Sequence, residues 1–245
     1  MSATGRNDDG RGRGLGHLLS GLAVAVGCVL FLGGFAWGAV EYKPYTVPTQ
    51  SMNPTVKAGD RVLAQRIDGT DVKRGDVVIF KDKTWGNVPM VKRVVGIGGD
   101  TVICCDRGGK LTVNGREIDE PYLHDTAAST TKFHATVPKD QLFLLGDERD
   151  VSLDSRVHLE DAANGSVPRS AVSARVDAVA WPLGGMLERP TGFKTLPGGI
   201  SQPGPLTLVV GAVIAGAVLI VVGAAYGPLA RRFGRRRAGA GAGAR

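Results

Sequence analysis

Hydrophobic and polar positions along the chain fall into three patterns. Residues 18–40 and 206–226 carry no charged side chain and are rich in Leu, Val, Ala and Gly. At about 1.5 Å per helical residue, each run is long enough to cross a hydrocarbon core of roughly 30 Å. Between them the pattern shortens. Brief apolar runs at 61–67, 76–80, 89–95, 100–104, 111–113, 116–118, 141–145 and 173–181 are separated by Gly, Pro, Asn and Asp. Asn114-Gly115 between two of these runs is a two-residue hairpin signal. Short strands at regular spacing, with no long amphipathic helix among them, predict a mainly β barrel or sandwich. Residues 183–205, rich in Gly and Pro, read as a linker.

The ends add a direction. The formal net charge is +7, and its arginines gather at Arg6, Arg11 and Arg13 and at Arg231, Arg232, Arg235, Arg236 and Arg237. The middle is mixed in sign and has no basic patch interleaved with aromatics, so nucleic acid is not an expected partner. Basic flanks beside apolar spans mark cytoplasmic ends. The expected protein lies in the plasma membrane with two spans, N-in and C-in. Its domains are a disordered cytoplasmic head (1–17), a transmembrane helix (18–40), an extracytoplasmic catalytic β-domain (41–182), the linker (183–205), a second transmembrane helix (206–226) and a basic cytoplasmic tail (227–245). Trp37, Tyr42 and Tyr45 sit where interface aromatics belong. Ala36 and Gly38 would also suit a cleaved secretory signal. The apolar core of such a signal is usually only about 7–15 residues, however, so an uncleaved helix is expected.

Cysteine and histidine give no sign of a metal site. Cys28 lies inside the first apolar run and reads as a small hydrophobe. Cys104 and Cys105 are adjacent. A bridge between neighbours needs a strained eight-membered ring, so they read as two strand residues, one on each face. His17, His124, His134 and His158 are scattered, and no Cys/His spacing suits a metal ion. No cofactor is expected.

Three segments carry candidate chemistry. Pro48-Thr49-Gln50-Ser51-Met52-Asn53-Pro54-Thr55 holds a serine between two prolines. Proline fixes its own backbone and pushes the preceding residue towards extended geometry, so Ser51 is expected in a stiff, extended stretch. Met90-Val91-Lys92-Arg93-Val94-Val95 reads as a strand in which Met90, Lys92 and Val94 share one face. Arg93 then faces the other way, towards solvent or a carboxylate. A lysine among apolar neighbours loses the stabilisation of its charge and its pKa falls; moving it to near 7–8 costs about 4 kcal/mol. Gly146-Asp147-Glu148-Arg149-Asp150-Val151-Ser152-Leu153-Asp154-Ser155-Arg156 packs acids, arginines and serines after an apolar strand. Each segment alone also has a plain reading, as a surface loop, a lysine reaching water from an edge strand, and a solvated turn with local ion pairs.

Together with Arg74-Gly75-Asp76-Val77-Val78 and Gly96-Ile97-Gly98-Gly99-Asp100, these segments resemble, over roughly residues 35–182, the bacterial type I signal peptidases (leader peptidases) of the Ser/Lys type. The resemblance implies a membrane-anchored β-rich catalytic domain that removes signal peptides from exported preproteins. It implies Ser51 as nucleophile, Lys92 as general base, and Thr49 with the Ser51 N–H as oxyanion hole. It also implies Ser152 orienting the lysine amine, an ion pair of Asp154 with Arg156 supporting the loop, and supporting roles for Arg93 and Asp147. Glu148 departs from the motif, which more often has Asn there, and this leaves the loop's local hydrogen bonds open. A Ser–Lys pair is chemically sound, since a neutral amine can take the hydroxyl proton and return it to the leaving amine. The expected substrate is a signal peptide of A-x-A type, bound extended with two small pockets. Their walls are expected from residues 45–51 and 77–80, on a non-polar surface facing the lipid bilayer. Two other readings remain: a repressor-type self-cleaving Ser/Lys protease, against which the two spans argue, and a non-catalytic membrane-anchored β-domain that binds a partner.

Overall fold

A computed structural model describes residues 9–124 and 127–240, with side chains from 16 to 226 outside the 125–126 gap. The chain forms two compact units, one built from the two ends and the other from Glu41–Gly204.

The first unit pairs the helices α1 (Asp9–Glu41) and α2 (Leu206–Ala240). Both contain stretches long and apolar enough to cross a membrane, Gly16–Glu41 and Leu206–Tyr226. Small residues line their seam at heptad spacing. Ser20 Oγ donates to the Gly223 carbonyl at 2.7 Å, and a Cβ at Gly27 would stand 2.8 Å from the Gly216 carbonyl oxygen. Small side chains that let backbones approach are the usual means by which apolar helices associate. Both helices outrun the uncharged stretches. Residues 9–17, expected as disordered head, are helical, as are residues 227–240 of the tail; once a helix is nucleated, each added residue brings one more backbone bond. Residues 1–8 and 241–245 lie outside the described residues.

Among its described residues the second unit is mainly β, in two antiparallel sheets. Its strands are β1 (Tyr42–Thr46), β2 (Arg61–Arg66), β3 (Val77–Phe80), β4 (Met90–Ile97), β5 (Thr101–Cys104), β6 (Leu111–Val113), β7 (Arg116–Glu117), β8 (Phe133–Thr136), β9 (Gln141–Leu145), β10 (Val167–Pro168), β11 (Val172–Trp181) and β12 (Gly185–Met186). The larger sheet runs β1-β2-β11-β3-β4-β9-β10, with β12 added to β11; the smaller runs β7-β6-β5-β8. Asn114 and Gly115 both have positive φ in the β6–β7 turn, the geometry that a two-residue hairpin requires.

Strand alternation sorts the core. In β3, Val77 and Ile79 pack with Val47, Met52, Val56, Val62 and Val176. Val78 and Phe80 pack on the opposite face with Val94, Leu142 and Leu144. A third cluster joins the smaller sheet to β4 and β9 through Val95, Val102, Leu111, Phe143 and Leu145.

Two expectations need correction. Residues 183–205 are not a linker. β12 pairs with β11 through Val179↔Gly185 and Ala178↔Met186, Phe193 and Leu196 are buried in the third cluster, and Ser201 Oγ donates to Asp76 Oδ2 at 2.7 Å. The anchoring residues are spaced too irregularly among Gly and Pro to show a helix or strand period. Cys104 and Cys105 are joined in a disulfide, not set as free thiols on opposite faces of a strand. β5 ends at Cys104, so Cys105 is released from the sheet to turn back on its neighbour.

Phe193→Ala tests the packing of the supposed linker. Loss of this buried ring is expected to destabilise the unit by about 3–5 kcal/mol, read from denaturant unfolding. An unchanged midpoint would return residues 183–205 to linker status.

Candidate active site

Lys92 is the third residue of β4, paired with Val78 on β3. Its side chain leaves the face that carries Val94 and Phe80, and only 4% of the residue is exposed. Its Nζ is hydrogen-bonded to Ser51 Oγ at 2.6 Å. Burial pushes the Lys92 amine down from 10.5 to about 8, against the pull of the Asp154 and Asp147 carboxylates.

Ser51 is not in an extended segment. It starts a turn, closed by Asn53 N–H donating to the Gln50 carbonyl and Val56 N–H to the Met52 carbonyl, both at 2.9 Å. Met52 and Val56, fully buried in the cluster beneath β3 and β11, pin the turn from below. The two prolines restrict the backbone but do not decide its course; the apolar pair at 52 and 56 has the spacing of one helical turn. Thr49 Oγ1 lies 3.3 Å from Ser51 Oγ.

The loop after β9 meets this turn at close range. Glu148 N–H donates to the Ser51 carbonyl at 3.1 Å. Gly146 makes the approach possible, because a Cβ there would overlap both the Ser51 carbonyl oxygen and Ser152 Oγ. Asp154 accepts from the Gly146 N–H at 3.0 Å and pairs with Arg156 at 2.8 Å. On the other face of β4, Arg93 forms a two-point ion pair with Asp147, at 2.8 and 2.6 Å. The Arg93 guanidinium also stacks over the Tyr122 ring, 3.8 Å from its centre. The solvent alternative for Arg93 is thus not realised.

The structure brings Ser51, Lys92 and Thr49 together and places Asp147, Asp154, Arg156 and Arg93 around them. It does not join Ser152 to the amine. Ser152 Oγ is buried and makes no hydrogen bond among the described residues, and it occupies the space that a Cβ on residue 146 would need. Several supports were not visible in the sequence. Arg149 pairs with Glu120 at 2.6 Å, Arg156 Nη1 donates to Ser129 Oγ at 3.1 Å, and Thr55 Oγ1 donates to Asp147 Oδ2 at 2.5 Å. All three join positions far apart in the chain, with no local pattern to announce them.

A cleft of about 400 Å³ opens over the dyad, lined by residues 47–51 and 88–92, with Val151 and Leu153 at its lip. Its second wall is therefore the start of β4, not residues 77–80. All four residues of β3 are buried with neighbours on both faces, so that strand has no surface to offer. Among the described residues, no cluster of His, Cys, Asp and Glu could hold a metal ion.

A serine hydroxyl against a buried amine, in a cleft open to a chain, is the equipment of a peptidase, and comparison with known proteins agrees. The model of the family "Signal peptidase, peptidase S26" matches residues 18–181. The chain belongs to that family. Membership makes it a serine peptidase of the type I signal peptidase kind. A protein of Mycobacterium leprae described as a probable signal peptidase I is 30% identical over 199 residues, covering 57% of this chain and 68% of that one. Signal peptidase IB of Staphylococcus aureus is 32% identical over 182 residues, covering 66% and 88%. A solved signal peptidase I structure from Enterococcus faecalis is similar at 28% identity with a TM-score of 0.35, over 42% of this chain and 95% of that one. The chain spans about two thirds of the length of the mycobacterial relatives it matches.

Titration checks the site independently of any substrate. Lys92 is expected to titrate near 8 by NMR of the labelled amine. Because its pKa is lower folded than unfolded, the unfolded chain binds the extra proton between about 8 and 10.5. The contribution of Lys92 therefore makes the fold more stable as pH rises through that window, and costs its full amount below it. A Lys92 titration left at 10.5 would mean that the amine is not sequestered.

Proposed function

We propose that this chain is the membrane-anchored endopeptidase that removes N-terminal signal peptides from preproteins, with Ser51 as nucleophile and Lys92 as general base. The observation that carries this reading is the 2.6 Å contact between Lys92 Nζ and Ser51 Oγ inside the cleft. A neutral Lys92 amine takes the Ser51 proton as Oγ attacks the scissile carbonyl. The resulting ammonium then protonates the leaving amine, and an acyl-enzyme remains on Ser51. Water, deprotonated by the same amine, releases the acid and restores the hydroxyl. Negative charge on the carbonyl oxygen meets the Ser51 N–H and the Thr49 hydroxyl. Loss of one such donor costs about 10²–10³ in rate.

The shape of the cleft supports an extended substrate. Its walls are two chain segments, 47–51 and 88–92, whose backbones can pair with a strand-like peptide while its alternate side chains enter the groove. Small residues of A-x-A type suit such shallow pockets. The two apolar helices and the basic ends support a plasma-membrane protein with both termini in the cytoplasm and the unit Glu41–Gly204 outside.

Ser51→Ala and Lys92→Ala are each expected to lower the cleavage of a preprotein by about 10⁴-fold or more. Cleavage that survives either change would remove the assignment of Ser51 as nucleophile and Lys92 as base. The kcat/KM of wild type is expected to rise with pH and level off above about 8, following deprotonation of Lys92. In spheroplasts, added protease is expected to digest the β unit and spare tags on both termini; the reverse pattern would invert the proposed orientation.

A further inference from the structure

We infer that Glu148 is a positioning residue for the nucleophile, acting through Asn53. The inference rests on the Ser51/Lys92 reading above and adds a residue that neither takes nor gives a proton in it. Glu148 meets the Ser51 turn twice. Its N–H donates to the Ser51 carbonyl at 3.1 Å, and its Oε2 accepts from Asn53 Nδ2 at 2.7 Å. Its own carbonyl accepts from the Ser152 N–H at 3.1 Å. One residue thus ties the turn that carries the nucleophile to the loop that backs the base.

The turn needs this tie because its core anchors leave a gap. Met52 and Val56 are sunk in the apolar cluster, but the arc between them carries two polar, half-buried side chains, Asn53 and Thr55, on either side of an exposed Pro54. Successive loop residues grip that arc from above, Asp147 at the Thr55 hydroxyl and Glu148 at the Asn53 amide. The 2.6 Å contact between Ser51 and Lys92 depends on where the arc is held. A displacement of a few tenths of an ångström in the turn lengthens a bond across which a proton must move. A carboxylate accepting from an amide is a charge-assisted bond, roughly twice as strong as one between neutral groups. The backbone bonds of residue 148 are open to every residue but proline, so its side chain can be tested separately.

The pairing has one donor and one acceptor, so it can be broken and then rebuilt in reverse. Cleavage of a synthetic signal peptide is measured for wild type, Glu148→Ala, Glu148→Gln, Asn53→Asp and the double variant Asn53→Asp/Glu148→Gln, with thermal unfolding of each. Glu148→Ala is expected to lower kcat about 10–100-fold with KM within about twofold. Glu148→Gln keeps an oxygen towards Asn53 and recovers most of that loss. Asn53→Asp sets two carboxylates face to face and lowers kcat by at least as much as Glu148→Ala. The double variant exchanges donor and acceptor and is expected to raise kcat at least tenfold above Asn53→Asp alone. A wild-type kcat in Glu148→Ala, or a double variant no better than Asn53→Asp, overturns the inference while leaving the dyad intact. A loss that follows the unfolding midpoint across all variants, without regard to the swap, makes Glu148 structural only and also overturns it. Wild type that fails to cleave the peptide overturns the underlying reading, and this inference with it.

Discussion

Everything in the β unit depends on keeping an amine out of water without letting it find a carboxylate. Lys92 is buried on a strand face shared with Val78 and Val94, and its hydrogen bond goes to a hydroxyl, Ser51 Oγ. Burial alone would push the amine further down. Asp154 and Asp147 lie close enough to pull its pKa back, yet each is engaged elsewhere, Asp154 by Arg156 and the Gly146 N–H, Asp147 by Arg93 and Thr55. The result, a pKa of about 8, leaves an appreciable neutral fraction near pH 7 without making the amine too weak a base. Direct contact with a free carboxylate would hold it charged.

Neutralising those two carboxylates accounts for Arg93 and Arg156 behind the site, and Arg149 neutralises a third acid, Glu120. An unpaired buried charge is strongly unfavourable, and removing one partner of a buried pair typically costs about 3–5 kcal/mol. Arg93, Arg149 and Arg156 are each buried or nearly so, and each is paired with an acid and with backbone carbonyls or hydroxyls. The loop from Gly146 to Arg156 is consequently held by charge, where the turn under Ser51 is held by apolar burial. Two differently stabilised segments meet at the Ser51 carbonyl, and Gly146 is the residue that lets them come so close.

How much of this was legible follows from the range of each interaction. The mainly β architecture and the two long apolar helices were readable because periodicity and length are local properties. So was the sharing of a face by Lys92 and Val94, since strand alternation needs only neighbours. The extended expectation for Ser51 fails because proline preference is local, whereas Met52 and Val56 are pinned by β2, β3 and β11 from elsewhere in the chain. The linker expectation for residues 183–205 fails for the same reason. Phe193 and Leu196 look like strays in a Gly/Pro stretch until Val95 and Leu145 are placed beside them. Ring strain argues against a bridge between neighbours, but the run at 100–104 stops at Cys104, which leaves Cys105 outside the strand and able to turn back on it. Residues 77–80 cannot wall the cleft because β3 is central in its sheet and covered on both faces; the strand order that decides this is not written in any window of sequence.

Alternation in β4 then carries the last step. Lys92 and Arg93 are adjacent cations with opposite fates, because successive side chains of a strand point to opposite faces. On one face an amine meets apolar walls and a hydroxyl and loses its hold on a proton. On the other a guanidinium meets Asp147 in a two-point pair and an aromatic ring, Tyr122. Guanidinium suits that place because it stays charged and its planar fork matches a carboxylate. Lysine suits the first because its charge can be removed by burial. Shifting the strand by one residue would exchange the two, putting an undeprotonatable cation against Ser51 and an amine against Asp147, where it would stay charged. The register of β4 against β3 and β9, fixed by Val94 and Val95 entering separate clusters, is therefore what makes a base of one residue and a support of the next.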